Sequence, residues 1–279
     1  MKKRKKHNGA AYFLLIVIGA VITFPFVWMI FACFKTNGEI LGSTKLLPSR
    51  FSFDAFKKGW NGVGNITFAT YFKNTFLLVI PTVVLTVMSC SFVAFGFARF
   101  RFPGKKMFFA LMISTLMLPN SVIIIPRYLI FNKLGLLNSY WPFYLPALFA
   151  CFPFFIFMII QFMRGIPREL DEAAYIDGCS SLGLYVKILL PLMKPALFSA
   201  GLFQFMWTWN DFFNTLIYIS SVKKFPVSLG LRASLDTAAQ VQWDKVMAMS
   251  LISILPLIVM FFAAQKYFVE GISTTGLKG

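Results

Sequence analysis

Long apolar runs alternate with short polar segments along this chain of 279 residues. Each run is close to the roughly 20 residues that an α-helix needs to cross a bilayer. The predicted spans are approximately 11–34, 74–97, 107–126, 141–162, 195–219 and 246–268. The third is interrupted at Pro119-Asn120, because proline removes a helix hydrogen bond. The pattern therefore predicts an all-α, polytopic membrane protein with six transmembrane helices.

Composition supports a membrane protein, because 58% of the residues are hydrophobic and only 13% are charged. The mean hydropathy is +0.73, well above that of a soluble domain. The net charge of +17 does not indicate nucleic-acid binding, since the lysines and arginines fall between the apolar runs, where membrane topology explains them. The four cysteines are scattered and His7 is the only histidine, so we expect neither a disulfide framework nor a metal site.

The basic residues also predict the orientation of the chain. Lys2 to Lys6 precede the first span, and four more cations lie between 99 and 106, after the second. Positive charge in short segments marks the cytoplasmic side. Both termini, including the basic tail 1–10 and the C-terminal tail 269–279, are therefore expected in the cytoplasm. The first run is too long for a signal peptide and lacks a cleavage site, so we interpret it as a spanning helix.

The longest cytoplasmic segment, 164–194, predicts two short helices. Pro167 suits a first helical position, acidic residues follow in the first turns, and Arg168 can pair with Glu172. Gly178 suits the left-handed residue after a helix, and Ser180 or Ser181 can cap a second helix that breaks at Pro191. Local chemistry alone is compatible with an ordinary helix-turn-helix on a membrane surface.

The residue spacing in this segment resembles the cytoplasmic-loop motif of ABC importer permeases. The motif is Glu-Ala-Ala, three residues, Gly, nine residues, then Ile-x-Leu-Pro. Its positions here are Glu172, Ala173, Ala174, Gly178, Ile188, Leu190 and Pro191. Stretches 98–105, 134–141, 209–212 and 265–279 also resemble the carbohydrate-uptake branch, in particular the second permease subunit of the maltose type. The resemblance covers almost the whole chain.

The resemblance implies a single permease domain, 1–279, in a bacterial cell membrane. It implies that the loop 164–194 is a coupling helix that docks on an ATPase subunit. The expected partners are a homologous permease, two ATPase subunits and an extracytoplasmic solute-binding protein that delivers a sugar. ATP and magnesium would be bound by the ATPase partners. This chain has no phosphate-binding loop motif and no catalytic residue set, so we expect a transport subunit and no enzyme activity.

A polar patch within the fifth predicted span is a candidate for the substrate path. Asp211 is the one acid well inside a span, and a charge in hydrocarbon usually faces a cavity or the helix bundle. The candidate path residues are Asn120, Trp209, Asn210, Asp211 and Asn214, with Gln204 as a weaker candidate. Indole rings can stack on sugars, and amides and carboxylates can bind hydroxyl groups. The alternative is an aromatic belt with a polar clamp between helices.

Two other functions fit the sequence less well. An intramembrane enzyme would need several ionisable groups inside the spans, and Asp211 alone does not supply them. A scaffold protein would not need a polar patch in a span or several proline-interrupted helices.

Overall fold

The computed structural model describes residues 9–62, 66–235 and 241–275, and these residues form helices without a β-strand. Residues 1–8 of the N-terminal tail and 276–279 of the C-terminal tail lie outside the described residues. The helices are, in order, α1 (Gly9–Ala32), α2 (Asn37–Gly42), α3 (Asp54–Trp60), α4 (Phe68–Arg99), α5 (Lys105–Thr115), α6 (Asn120–Lys133), α7 (Trp141–Leu148), α8 (Pro153–Arg164), α9 (Glu169–Ile176), α10 (Ser181–Gly183), α11 (Leu190–Leu192), α12 (Lys194–Trp209), α13 (Phe212–Tyr218), α14 (Val227–Ala233) and α15 (Trp243–Thr275).

Several helices have the length and hydropathy of membrane spans. Four segments qualify singly, namely Ala11–Ala32, Phe68–Arg99, Trp141–Arg164 and Trp243–Ala263. Two bent pairs qualify when each pair is counted together: α5 with α6, bent by 102°, and Ser181–Leu192 with α12, bent by 76°. The described residues thus contain four to six candidate spans, and the all-α polytopic fold is confirmed.

Three of the predicted spans are broken. α5 and α6 are separated at residues 116–119, where the Pro119-Asn120 interruption was predicted. α6 continues through Pro126 to Lys133, so the predicted end of the third span at Pro126 is wrong. Neighbouring groups in a membrane protein can compensate the hydrogen bond that an internal proline removes. The fourth span is interrupted at 149–152 and the fifth at Asn210-Asp211, although both were predicted as continuous.

The chain divides into two compact units, of which one comprises residues 1–68 and 231–255. The side chains described in its helix α1 are mostly exposed and apolar, as expected for a lipid-facing span. After α1, the ring of Phe34 packs against Phe51, Phe53 and Phe56 at centroid distances of 5.3 to 5.8 Å. The Trp243 amide donates a hydrogen bond to Asn37 Oδ1 (2.8 Å), which joins the start of α15 to α2.

The other unit comprises residues 69–230 and 256–279 and contains both candidate functional regions. Two of the apolar clusters in its described core lie at opposite ends of α4. One surrounds Phe95 and includes α8 and the segment 184–189, and the other surrounds Leu78 and includes residues of α6, α7 and α13. Thr82 of α4 lies between these clusters and lines a cavity. The single domain 1–279 stays a prediction.

Gly230 of α14 is expected to be a tightly constrained position of this second unit. A β-carbon there would lie 2.3 Å from Cδ2 of Tyr71, whose side chain is fully buried. Because the ring has no room to move away, Gly230→Ala should destabilise the protein by about 1–3 kcal/mol, as overpacking does. The measurement is thermal unfolding of the purified protein in detergent.

Gly201→Ala is the matched control, since a β-carbon there meets Val83 and Val87 at an ordinary 3.7 Å. It should leave the melting temperature unchanged or raise it slightly, because alanine has the higher helix propensity. Equal melting of the two variants would contradict the tight contact at Gly230.

Candidate functional site

The first part of the predicted coupling loop, 164–194, is a short helix with a well-defined end. α9 begins at Glu169, two residues after the predicted start at Pro167. Gly178 has φ +76°, the left-handed conformation that was predicted. The Gly178 amide donates to the Tyr175 carbonyl (3.0 Å) and the Cys179 amide to the Ala174 carbonyl (2.8 Å). These two bonds form a Schellman motif, which satisfies carbonyl groups at the helix end.

The second part of the loop is longer than predicted. The Ser180 side chain caps it by accepting a hydrogen bond from the Gly183 amide (3.1 Å). Residues Leu184–Leu189 form a π-helical segment, and α11 then continues to Leu192. The predicted break at Pro191 is therefore wrong. Pro191 follows the π-helical segment within a continuous helical stretch, and the chain bends instead at Met193.

Charged side chains join the start of this loop to the end of α4. Arg99 Nε lies 2.9 Å from Asp171 Oδ2, and the two side chains are only 5% and 12% exposed. Arg99 also donates to the Ile166 carbonyl (3.2 Å), and Arg168 donates to the Ala98 carbonyl (3.3 Å). Burial raises the pKa of the Asp171 carboxyl, and the positive charges of Arg99 and Arg168 oppose this effect.

The predicted pairing of Arg168 with Glu172 is absent from the described residues. The acid that pairs is Asp171, one position earlier, and its partner Arg99 comes from another helix. In the sequence, Arg99 is one of the cations after the second span and Asp171 is one of the acidic residues in the first turns of the loop. The pair could not be predicted, because it is formed only by tertiary packing.

α9 has one side that faces the protein interior and another that is exposed. Ala174 is only 4% exposed and belongs to the core cluster around Phe95, so its side chain faces the protein interior. Leu170, Tyr175 and Ile176 are apolar residues that are 41%, 47% and 86% exposed. Among the other motif positions, Glu172, Ala173, Gly178 and Pro191 are exposed, while Ile188 and Leu190 are partly buried. Tyr175 and Ile176 lie outside the motif and were not among the predicted docking residues.

The second candidate region is a cavity of about 510 Å³. Residues at or beside three helix breaks line it: Leu118 and Asn120 at the α5–α6 break, Cys151 and Phe152 at the α7–α8 break, and Asp211 between α12 and α13. Its polar lining consists of Thr82, Thr115, Asn120, Arg127, Gln204, Thr208, Asp211, Asn214 and Tyr218. Non-helical backbone at membrane depth is tolerated where it lines such a cavity.

Asp211 has a structural role as well as a place in the cavity lining. Its carboxylate caps α13 by accepting a hydrogen bond from the Asn214 amide (3.0 Å). The Asn214 side-chain amide donates to both carboxylate oxygens, at 3.0 and 2.8 Å. All three bonds are local to the start of α13 and are those of a helix cap, so the path lining and the polar clamp between helices both stay predictions.

Two of the five predicted path residues do not line the cavity. Trp209 is 5% exposed and packs against Phe72, Phe76 and Phe205, with ring centroids 5.3 to 6.2 Å apart. Asn210 is exposed, and its side chain donates to the Met206 carbonyl (2.8 Å) at the end of α12.

Other residues take their places in the lining. Trp207 and Gln204 share one face of α12 with Thr208, because residues three and four apart are neighbours on a helix. Arg127 and Tyr218 were missed. A charge inside the apolar α6 was the available signal for Arg127.

Comparison with known proteins identifies the family. A model of the family "Binding-protein-dependent transport system inner membrane component" matches residues 90–274. The match covers most of the chain, including the loop 164–194 and most of the cavity residues. The chain belongs to this family. It is therefore a permease component of a transport system, and its apolar helices are those of a multi-pass membrane protein.

Curated relatives of this permease cover nearly its whole length. The probable ABC transporter permease protein YurM of Bacillus subtilis is 35% identical, over 99% of this chain and 91% of the relative. The arabinooligosaccharides transport system permease protein AraQ of Halalkalibacterium halodurans is 33% identical, over 99% and 100%. The trehalose/maltose transport system permease protein MalG of Thermococcus litoralis is 30% identical, over 95% and 97%.

A solved structure confirms the fold. A chain of a bacterial ABC transporter involved in the import of the acidic polysaccharide alginate superimposes with a TM-score of 0.84. The alignment covers 96% of this permease and all of that chain, at 21% sequence identity. At this identity the similarity supports the fold alone.

The buried pair Arg99–Asp171 predicts a stability effect. Asp171→Asn leaves Arg99 buried without a counter-charge, which typically costs about 3–5 kcal/mol. The expected result is a loss of this size in the unfolding free energy, measured by denaturant titration in detergent. Glu172→Gln, at the neighbouring exposed acid, should change it by less than about 0.5 kcal/mol.

The double variant Arg99→Met with Asp171→Leu tests the cause. It removes both charges and keeps apolar volume, so it should recover most of the loss. If Asp171→Asn is as stable as the wild type, the pair does not anchor the loop.

Proposed function

We propose that this chain is a permease subunit of an ATP-driven importer of a sugar or oligosaccharide. Family membership makes it the membrane component of a binding-protein-dependent system. The carbohydrate cargo is supported by relatives named for arabinooligosaccharide and trehalose/maltose transport. In the proposed complex a homologous permease completes the translocation path, and a solute-binding protein delivers the sugar from outside.

One of two ATPase subunits is proposed to dock on the loop 164–194, and the two together are proposed to drive the transport cycle. The observation that carries this part is the exposure of three apolar side chains of α9, namely Leu170, Tyr175 and Ile176. An apolar surface on a helix outside the spans suits a protein partner. The same helix is joined to α4 through Asp171, so force on α9 is transmitted to a span. ATP and Mg²⁺ are assigned to the ATPase partners, and this chain performs no catalysis.

The cavity is proposed to be part of the sugar path. It combines aromatic side chains with amides, hydroxyls and one acid, which is the usual composition of a small-molecule site. Helix breaks beside a polar cavity are typical of transport proteins whose binding sites lie at membrane depth. Asn120, Asp211 and Asn214 are retained as path residues from the sequence analysis.

The loop assignment predicts that Ile176→Asp blocks docking. Ile176 is 86% exposed, so the change should leave the permease folded while placing a charge in an apolar contact. The ATPase subunits that co-purify with the wild type should be lost, and sugar uptake with them. Ile176→Leu keeps the apolar surface and should retain both. Normal uptake by Ile176→Asp would exclude this surface as the docking site.

The proposed orientation places both termini and the loop in the cytoplasm of a bacterial cell. In a variant without native cysteines, Asn61→Cys should react with a membrane-impermeant maleimide added to intact cells. Asp177→Cys, also at an exposed position, should react only after the cells are opened. The reverse labelling pattern would overturn the orientation without affecting the family assignment.

A further inference from the structure

Two amide oxygens that line the cavity have no hydrogen-bond donor among the described residues. Gln204 is 3% exposed, and its Nε2 donates to Thr208 Oγ1 at 3.0 Å. Its Oε1 is buried without a partner, as is Asn214 Oδ1. Buried polar atoms are almost always paired in folded proteins, so two unpaired acceptors in one cavity need an explanation.

The orientation of the Asn214 amide is fixed by Asp211. The Asn214 Nδ2 group donates to both oxygens of that carboxylate, and a carboxylate accepts hydrogen bonds. A flipped amide would place its oxygen against the carboxylate, which is unfavourable. Asn214 Oδ1 is therefore the atom that remains available, and it can only accept.

A third polar group of the cavity is the hydroxyl of Tyr218. The residue is 2% exposed, and its oxygen has no hydrogen bond of normal geometry among the described residues. The guanidinium of Arg127 is near enough to interact with it and with Asp211. Because a guanidinium only donates, it leaves the phenolic proton free to bind an acceptor.

An aromatic surface lies in the same cavity. Trp207 lines it and is 50% exposed, although its ring packs against Phe154 and Phe155 at centroid distances of 5.1 Å. These contacts support the indole and leave part of it uncovered. A partly uncovered indole beside hydrogen-bonding groups suits a sugar ring, which has an apolar face and a rim of hydroxyls.

We propose that this chain contacts the cargo directly, with Gln204, Asn214 and Tyr218 binding the hydroxyls of an uncharged sugar ring beside Trp207. Asn214 Oδ1 requires a donor, and the unpaired atom of the Gln204 amide requires a hydrogen-bond partner; sugar hydroxyls, which donate and accept, supply both. A uronate also carries hydroxyls, but its carboxylate only accepts, and the described lining of the cavity offers it no unopposed cation. The charge of Arg127 is opposed by Asp211. This inference rests on the proposed function and adds to it the cargo class and the residues that bind it.

The test uses the complete complex, reconstituted in proteoliposomes with its binding protein and internal ATP. The labelled probes are maltotriose and arabinotriose, which are neutral, and trigalacturonate, which is acidic. The wild type should import a neutral trisaccharide in preference to trigalacturonate. Gln204→Met and Tyr218→Phe should each lower its uptake roughly three- to tenfold at sub-saturating sugar, the effect of one hydrogen bond.

A melting measurement separates binding from folding. Tyr218→Phe removes no hydrogen bond of normal geometry and loses only the contact with Arg127, so it should melt close to the wild-type temperature. Tyr140→Phe is the matched control, because Tyr140 lies outside the cavity lining and its hydroxyl donates to the Lys224 carbonyl at 2.9 Å. The Tyr140→Phe variant should import the neutral sugar at the wild-type rate.

Each contrary outcome has a distinct meaning. If the wild type imports none of the three sugars, and neither glucose nor trehalose offered in the same assay, the proposed function itself fails, and this inference with it. If it imports a neutral sugar and both cavity variants do the same at the wild-type rate, only direct contact is refuted. Preference for trigalacturonate refutes the uncharged cargo. Joint loss of melting temperature and uptake in Tyr218→Phe would show that the hydroxyl is structural.

Discussion

The structure depends on the requirement that backbone groups at membrane depth find hydrogen-bond partners. In an intact helix the backbone groups bond to one another. At the three breaks of this chain they need other partners. Residues at or beside the breaks at 116–119, 149–152 and 210–211 all contribute to one cavity. Because exposing a break to lipid is costly, the bundle must enclose the three together. The cavity is thus a consequence of where the helices are interrupted.

A second constraint acts at the other end of α4, where Arg99 and Asp171 are buried together. Removing either charge leaves the other in a poorly solvated site, so the pair strongly favours one position of α9 against the helix. Arg168 adds a bond to a carbonyl near the end of α4. The loop is consequently attached through its inward face, and its apolar residues Tyr175 and Ile176 remain outside.

Local signals in the sequence were sufficient for most helices and for the end of α9. Gly178 could be predicted because a left-handed helix end strongly favours glycine, and the break at Pro119 because proline removes a helix hydrogen bond, although helices continue through Pro81 and Pro126. The inward orientation of Ala174 could not be predicted, since either side of a short helix with alanines can be buried. Trp209 was assigned to the path from its chemistry, whereas packing with neighbouring rings places it in the core. Arg127 and Tyr218 reach the cavity only through the fold.

The two functional regions are connected by α12. Its 16 residues span about 24 Å, from the bend at Met193 next to the loop to the break at Asn210-Asp211. Gln204, Trp207 and Thr208 lie in its last two turns, on the cavity side. Because an unbroken helix moves nearly as one body, a displacement of the loop end also displaces these residues. The breaks at the two ends of α12 would therefore let the proposed docking at the loop alter the cavity without unfolding a span.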